Sequence, residues 1–206
     1  EITTRLVGSE MCIRDRSRIQ TEYREALEQT DSAEIESIRE SAAAYNKTIT
    51  PGAAEEAYSQ ASIRAASEDY VNQLNVSGSG IMGYVEIPKI GVDLPIYHGT
   101  GADSLDRGTG HLLGSSLPVG GESTHTIITG HSGMASQKIF TDLEQLREGD
   151  IFYLHVLDET LAYEVREIHT VLPHDTTYLG IEPGEDLCTL VTCTPTGVNT
   201  HRLLVQ

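Results

Sequence analysis

The stretch TLVTCTPTGVNTHRLLV, residues 189–205, contains two apolar runs joined by a segment rich in turn-forming residues. The first run ends at Cys193, and the second, His201 to Val205, carries Arg202 near its start. Short runs of β-branched and apolar residues bounded by Gly, Pro and Asn are typical of strands joined by a turn. The stretch therefore predicts two successive strands that present a thiol and a guanidinium near their ends.

A histidine is expected at the end of a third strand. The apolar run Ile127 to Thr129 leads through Gly130 into His131. A nucleophile, an acid/base group and a cation at the ends of three strands fit a cysteine acyl-transfer site. Taken singly, each has an ordinary structural explanation, since a lone Cys is usually a buried small side chain and a lone His or Arg is usually solvated. The surrounding sequence is what favours an enzyme.

Beyond Gly80 the chain alternates short runs rich in Val, Ile, Tyr and Thr with Gly, Pro and Asp. Many short strands with frequent turns predict a closed or nearly closed β-barrel. The expected strands cover residues 83–90, 92–97, 125–131, 151–156, 159–172, 187–193 and 201–205, with a short helix at 140–149.

The preceding part of the chain is rich in Ala, Glu, Gln and Ser, which favour helices. Asp31 with Glu34 resembles a capping box, and an apolar stripe at helical spacing follows it. A second helical stretch is expected at 53–74, before a boundary at Ser77–Gly80. The predicted organisation is residues 1–16 unassigned, N-terminal helices over 17–79 and a β-barrel catalytic domain over 80–206.

Residues 1–16 are set apart because the run RLVGSEMCIRDR, residues 5–16, has no clear period. It resembles translated sequencing-adapter read-through. This raises the hypothesis that residues 1–16, Cys12 among them, are not native and that a true N-terminal segment is missing.

Composition limits the classes of partner. The 206 residues include 31 acidic side chains against 14 Lys and Arg, a formal net charge of −17, which disfavours nucleic acid and anionic membrane surfaces. Cys188 and Cys193 are expected on opposite faces of one strand, which disfavours a disulfide between them. The spacing of Cys and His suggests no metal, and no cofactor is predicted. The sequence has no run of about 18 apolar residues that would predict a membrane span.

The TLVTC run with Arg202 downstream and Gly130-His131 upstream resembles the signature of the sortases, the cysteine transpeptidases of Gram-positive cell surfaces. GYVEIPKIGVDLPIYHGT, residues 83–100, and GTGHLLGSSLPVGGEST, residues 108–124, match the same family. The resemblance is strongest to class C, the pilin-polymerising sortases. It covers roughly residues 82–206, and the helical residues 17–46 more loosely.

The resemblance implies a mainly β fold, an eight-stranded sortase-type barrel preceded by an N-terminal helical segment and a lid-like loop. It implies that Cys193 is the nucleophile, His131 the acid/base and Arg202 the group that holds the substrate carbonyl or the developing oxyanion. The donor would be an LPxTG-type surface protein or pilin precursor, cut between Thr and Gly through a thioacyl-enzyme. The acceptor would be a pilin lysine. The enzyme would work at the extracellular face of the bacterial membrane, anchored by segments outside this chain.

Three other functions stay open. A sortase could attach surface proteins to a cell-wall amine of peptidoglycan, a non-catalytic barrel could only bind sorting signals, and a cysteine protease could only hydrolyse them. The intact trio disfavours the pure binder, because binding needs no thiol.

The sequence departs from the class C pattern in two places. Thr196 stands where the family usually has a tyrosine after Cys-Thr-Pro. Class C enzymes usually carry an Asp-Pro-aromatic lid motif, whose aromatic covers the cysteine, whereas residues 49–59 offer Thr50-Pro51-Gly52 without that acid or aromatic. The hypothesis is that this segment, called the lid segment below, crosses the groove but occludes it weakly.

Three further residues lie in family-like or strand segments. Cys188 is expected in the core. Arg107 and His111 are expected in a turn with solvated side chains, in preference to a role in shaping the groove.

Overall fold

The computed structural model describes residues 18–59, 67–133 and 139–206 of the chain. The hypothesis about residues 1–16 and Cys12 lies outside these ranges.

The described residues form one nine-stranded sheet. The strands are β1 Ile81–Ile87, β2 Val92–His98, β3 Thr109–His111, β4 Thr124–Thr129, β5 Ile151–Val156, β6 Glu159–Glu164, β7 Ile168–Val171, β8 Asp186–Thr194 and β9 His201–Val205. Their order in the sheet is β6-β5-β1-β2-β3-β4-β8-β9-β7. The prediction of a mainly β fold is confirmed, with nine strands where eight were expected.

The run at 159–172, expected as one strand, forms two strands at opposite edges of the sheet. β6 pairs with β5, and β7 pairs with β9. Residues 165–167 join them, and so short a link spans at most about 14 Å. The two edges must therefore approach each other, and the sheet is curled. At this corner the Val165 N–H donates to the carbonyl of Asp150 and the Arg166 N–H to that of Gln206.

The helices precede the sheet or lie between its strands. They are α1 over residues 18–29, α2 Ser32–Asn46, α3 Ala53–Ser59, α4 Glu68–Val71 and α5 Ala102–Leu105. The prediction of a helix at 140–149 was wrong, because only a 3-10 turn forms there, at Leu143–Gln145. Phe140, Leu143 and Leu146 are all buried, so core packing overrides the local helical preference. Among the described residues, no helix is long and apolar enough to cross a membrane.

Asp31 caps α2 as predicted. Its carboxylate accepts the backbone N–H groups of Ala33 and Glu34, each at 2.9 Å. The apolar stripe on α2 faces the sheet, with Ile35 and Ala42 buried among strand residues. The stretch expected to be helical at 53–74 is helical in α3 and α4, with residues 60–66 outside the described ranges.

Helices α1, α2 and α4 pack on the main apolar core of the sheet, whereas α3 belongs to a separate cluster. Tyr70 and Leu74 are fully buried in the main core. At the end of α2, the Asn46 side chain donates to the Leu117 carbonyl at 3.1 Å and accepts its N–H at 2.7 Å. On α1, the buried Tyr23 hydroxyl donates to the Met82 carbonyl at 3.1 Å. Polar groups thus anchor both helices to the strands.

His111 lies inside the molecule, so its assignment to a solvated turn was wrong. It belongs to β3, and its Nε2 lies 2.8 Å from the Ser116 carbonyl while Nδ1 lies 2.8 Å from the Tyr70 hydroxyl. Nε2 therefore carries the proton, and the Tyr70 hydroxyl can donate to Nδ1. Burial lowers the pKa of His111 to about 4. Arg107 extends over the Tyr97 ring, 4.5 Å from its centre.

The buried His111 predicts acid sensitivity. Its pKa in the folded chain lies below the ordinary value of 6.5, so between these pH values the unfolded chain binds a proton that the folded chain does not. This residue should lower the free energy of unfolding by up to roughly 3 kcal/mol as pH falls from 6.5 to 4. Urea unfolding across this range should show a shallower pH dependence in His111→Gln than in the wild type. The exposed His174→Gln is the matched control, and an unchanged slope in His111→Gln would contradict the prediction.

Candidate active site

The candidate site lies where β4 and β8 end and β9 begins beside them. β4 runs parallel to β8, with Thr129 opposite Val191. One residue further, the Gly130 N–H donates to the Val191 carbonyl at 3.0 Å, and the Thr192 hydroxyl donates to the Gly130 carbonyl at 2.7 Å. His131, two residues after the end of β4, therefore lies level with Cys193 of β8.

Arg202 is brought to the same level by the antiparallel pairing of β8 with β9. It lies directly opposite Cys193 in the register. Residues directly opposite in an antiparallel pair project to the same face, with Cβ atoms about 5 Å apart. The sheet thus brings all three predicted residues to one end of these strands. Cys193 lies in β8 and Arg202 in β9, and His131 lies in the segment that follows β4.

Cys188 and Cys193 lie on opposite faces of β8, as predicted from their spacing. Cys188 packs inside the curled sheet among residues such as Leu190 and Leu203 and is only 2% exposed. Burial raises the pKa of its thiol. Cys193 is partly exposed and shares its face with Val191. Both are free thiols, and of the two Cys193 is the one that a substrate can reach.

Hydrogen bonds to backbone carbonyls hold the segment that carries His131 in place. The Ser132 hydroxyl donates to the Cys193 carbonyl at 2.6 Å, and the Phe140 N–H donates to the His131 carbonyl at 2.9 Å. A Cβ on Gly130 would lie 2.6 Å from the Phe140 ring, so only glycine fits before the histidine. The sequence analysis did not identify Ser132, whose contact depends on the register between two distant strands.

The imidazole of His131 is partly open to solvent. Its side chain is 37% exposed, and its Nε2 lies 3.8 Å from Oδ1 of Asp106, which is 63% exposed. Asp106 lies just after α5 and was also not identified from the sequence.

The Arg202 side chain is oriented by two backbone carbonyls that precede it, one in the loop and one at the start of β9. Its Nη1 donates to the carbonyl of His201 at 3.0 Å and to that of Asn199 at 3.3 Å. Asn199 has a φ of 61°, a left-handed conformation that asparagine tolerates better than most residues. The turn between β8 and β9 therefore helps to position the guanidinium.

Tyr58 contributes an aromatic ring from the lid segment. It lies on α3, whose Ala54 and Ala57 pack with Val191 and Leu204. Its buried hydroxyl lies beside the Arg202 guanidinium without a hydrogen bond of standard geometry. Burial raises the pKa of Tyr58, the Arg202 charge opposes that shift, and the Cys193 thiol adds to it.

The expectation that the lid segment lacks an aromatic at the site therefore needs correction. Residues 50–52 carry none, but Tyr58, later in the same segment, reaches the site from a helix. The sequence motif places the aromatic next to the proline, whereas Tyr58 lies seven residues after Pro51.

Comparison with known proteins gives the family. The Sortase domain model matches residues 85–206. The chain is 30% identical to sortase A of Streptococcus agalactiae over 129 residues, covering 61% of this chain and 51% of that protein. It is 32% identical to sortase D of Bacillus subtilis over 113 residues, covering 55% of this chain and 54% of that protein. The chain thus spans about half the length of these curated relatives.

Solved structures match over more of the chain. The sortase C structure from Streptococcus pneumoniae has a TM-score of 0.82 and 46% identity, covering 91% of this chain and 94% of that one. Sortase C-1 from Actinomyces oris has a TM-score of 0.78 and 44% identity, covering 84% of this chain and 96% of that one. The curled sheet, the N-terminal helices and the matched domain together show that the chain belongs to the sortase family, with its similarity to solved structures including several of class C.

Proposed function

We propose that this protein is a cysteine transpeptidase that cleaves an LPxTG-type sorting signal between Thr and Gly and transfers the acyl fragment to an amine. The observation that carries the proposal is the pairing of Cys193 with Arg202, next to the strand that delivers His131. Membership of the sortase family supports the same reaction.

Each of the three residues has a proposed role. The Cys193 thiol attacks the threonine carbonyl and becomes a thioester, which is reactive enough for an amine to displace. His131 protonates the departing amine of the glycine and later takes a proton from the incoming amine. Arg202, on the same face as the nucleophile, donates to the carbonyl oxygen as negative charge develops on it.

We further propose that the acceptor is a lysine of a pilin, which would make the product an isopeptide-linked polymer. The similarity to a solved structure described as a pilus-related sortase C of group B Streptococcus supports this, at 40% identity and a TM-score of 0.81. The N-terminal helices and Tyr58 add further support, since both belong to the part of the chain where class C enzymes carry their lid. In this proposal residues 17–79 form the helices and lid and residues 80–206 the catalytic barrel, held at the outer face of the membrane by segments outside this chain.

The donor half of the reaction predicts a covalent adduct. With an LPxTG-type peptide, Cys193 should gain the mass of the cleaved acyl fragment, and an added small amine should convert the adduct into an amide product. Intact-mass measurement and product analysis check this. Cys193→Ala should form no adduct, whereas Cys188→Ala, which removes the buried thiol, should still form it. An adduct on any other residue would contradict the assignment.

Arg202 should matter for acylation more than for access to the thiol. Removing a donor to a developing oxyanion typically costs on the order of 100-fold, so Arg202→Ala should lower kcat/KM for thioacylation by about that factor. Arg202→Lys should recover only part of it, since the ammonium lacks the planar fork. Iodoacetamide labelling of Cys193 serves as the control for an intact site. Acylation of Arg202→Ala at the wild-type rate would show that the role is wrong.

Tyr58 is expected to shield Cys193 only partly, because the residue stays partly exposed with the ring in place. Tyr58→Ala should therefore speed iodoacetamide labelling of Cys193 by less than about tenfold, a closure free energy below about 1.4 kcal/mol. Tyr178→Ala is the matched control, since this ring packs on the same apolar cluster. An acceleration of about a hundredfold would show tight occlusion instead.

A further inference from the structure

We infer that Asp106 is the residue that recognises the acceptor as an ammonium group, receiving it beside His131. This inference rests on the proposed transpeptidase function and names a specificity-determining group for its second half. It concerns the charged primary amine of a lysine, as distinct from a neutral nucleophile or water.

The position of Asp106 is fixed while its carboxylate is open. Its backbone N–H donates to the Ala102 carbonyl at 2.8 Å, closing the turn of α5. Its side chain is 63% exposed. Arg107, the adjacent cation, is directed at the Tyr97 ring. Within the described ranges, His131 is the only group recorded in an ion pair or hydrogen bond with the Asp106 carboxylate.

The separation of the two acceptors suits an amine. Asp106 Oδ1 and His131 Nε2 are 3.8 Å apart, too far for a direct hydrogen bond. A nitrogen placed between them can lie about 2.9 Å from both, which is ordinary hydrogen-bond length. An ammonium has three protons, so it can donate to the carboxylate and to a neutral imidazole while its substituent points to solvent.

The proton balance follows from this placement. The acceptor R–NH3⁺ gives one proton to neutral His131, and the resulting amine attacks the thioester carbonyl carbon at Cys193. The new C–N bond forms and the C–S bond breaks. The nitrogen loses a second proton, which ends on the departing Cys193 sulfur. The products are the amide, the Cys193 thiol and the His131 imidazolium, so the single positive charge is conserved.

Asp106 takes no proton in this scheme, and its role is to attract the acceptor ammonium as it approaches. Its attraction is screened, because the carboxylate is largely exposed, and the expected effect is correspondingly small. The net charge of −17 draws cations to the whole surface, so the test must separate Asp106 from this general field. Asp103, on α5, provides that comparison, since it is also exposed and removes the same charge when neutralised.

The experiment uses the full chain with an LPxTG-type donor peptide and three variants: Asp106→Asn, Asp106→Glu and Asp103→Asn. Two acceptors are compared, a blocked lysine with a free side-chain ammonium and hydroxylamine, which is neutral at neutral pH. Asp106→Asn should lower kcat/KM for the lysine about threefold to fivefold and leave that for hydroxylamine unchanged. Asp106→Glu should restore part of the loss, and Asp103→Asn should stay within about twofold of the wild type.

Three results would overturn the inference. One is an equal loss with both acceptors, which would make Asp106 a positioning residue for His131. The second is a loss already present in thioacylation of Cys193, which precedes the acceptor. The third is wild-type selectivity in Asp106→Asn. Failure of the wild type to form any thioacyl-enzyme would instead contradict the proposed function, so the two failures are distinguishable.

Discussion

The register of three neighbouring strands is the constraint on which the site depends. β8 is held parallel to β4 on one side and antiparallel to β9 on the other, and this sets Cys193 level with both His131 and Arg202. Side chains alternate along a strand, so a shift of one residue would turn Cys193 inward and Thr192 outward. The hydrogen bonds of Gly130 with Val191 and Thr192 continue the register beyond the end of β4. The candidate site therefore requires this pairing of β4, β8 and β9 to form.

Much of this could be predicted from local pattern. Apolar runs bounded by turn residues located β4, β8 and β9, and the alternation along β8 correctly separated the faces of Cys188 and Cys193. The family of the chain was also predicted from these runs. The roles of Cys193, His131 and Arg202 stay predictions, which the adduct and acylation measurements test.

The features that sequence analysis missed depend on contacts between residues far apart in the chain. The run at 159–172 reads as one strand locally, but its halves pair with β5 and β9, which are far apart in the sequence. His111 looks like a turn residue between glycines, although Tyr70, from a helix well before the sheet, completes its buried hydrogen bonds. Tyr58 and Asp106 reach the site from separate segments. The periodicity of apolar residues in a sequence does not indicate which strand end a distant side chain will contact. These contacts depend on tertiary packing, which overrides local preference.

The placement of α3 has a consequence for the binding of a donor peptide in the proposed function. Tyr58 belongs to the same chain as the face of the sheet that it covers, so in the proposed function the ring is a tethered competitor whose effective concentration does not fall on dilution. A donor peptide that needed the same space would bind only the fraction of molecules in which α3 had moved away, so its apparent dissociation constant would rise by the inverse of that fraction. In the proposed function, changes at Ala54 or Ala57 that loosen their packing with Val191 and Leu204 would therefore raise the affinity for the peptide.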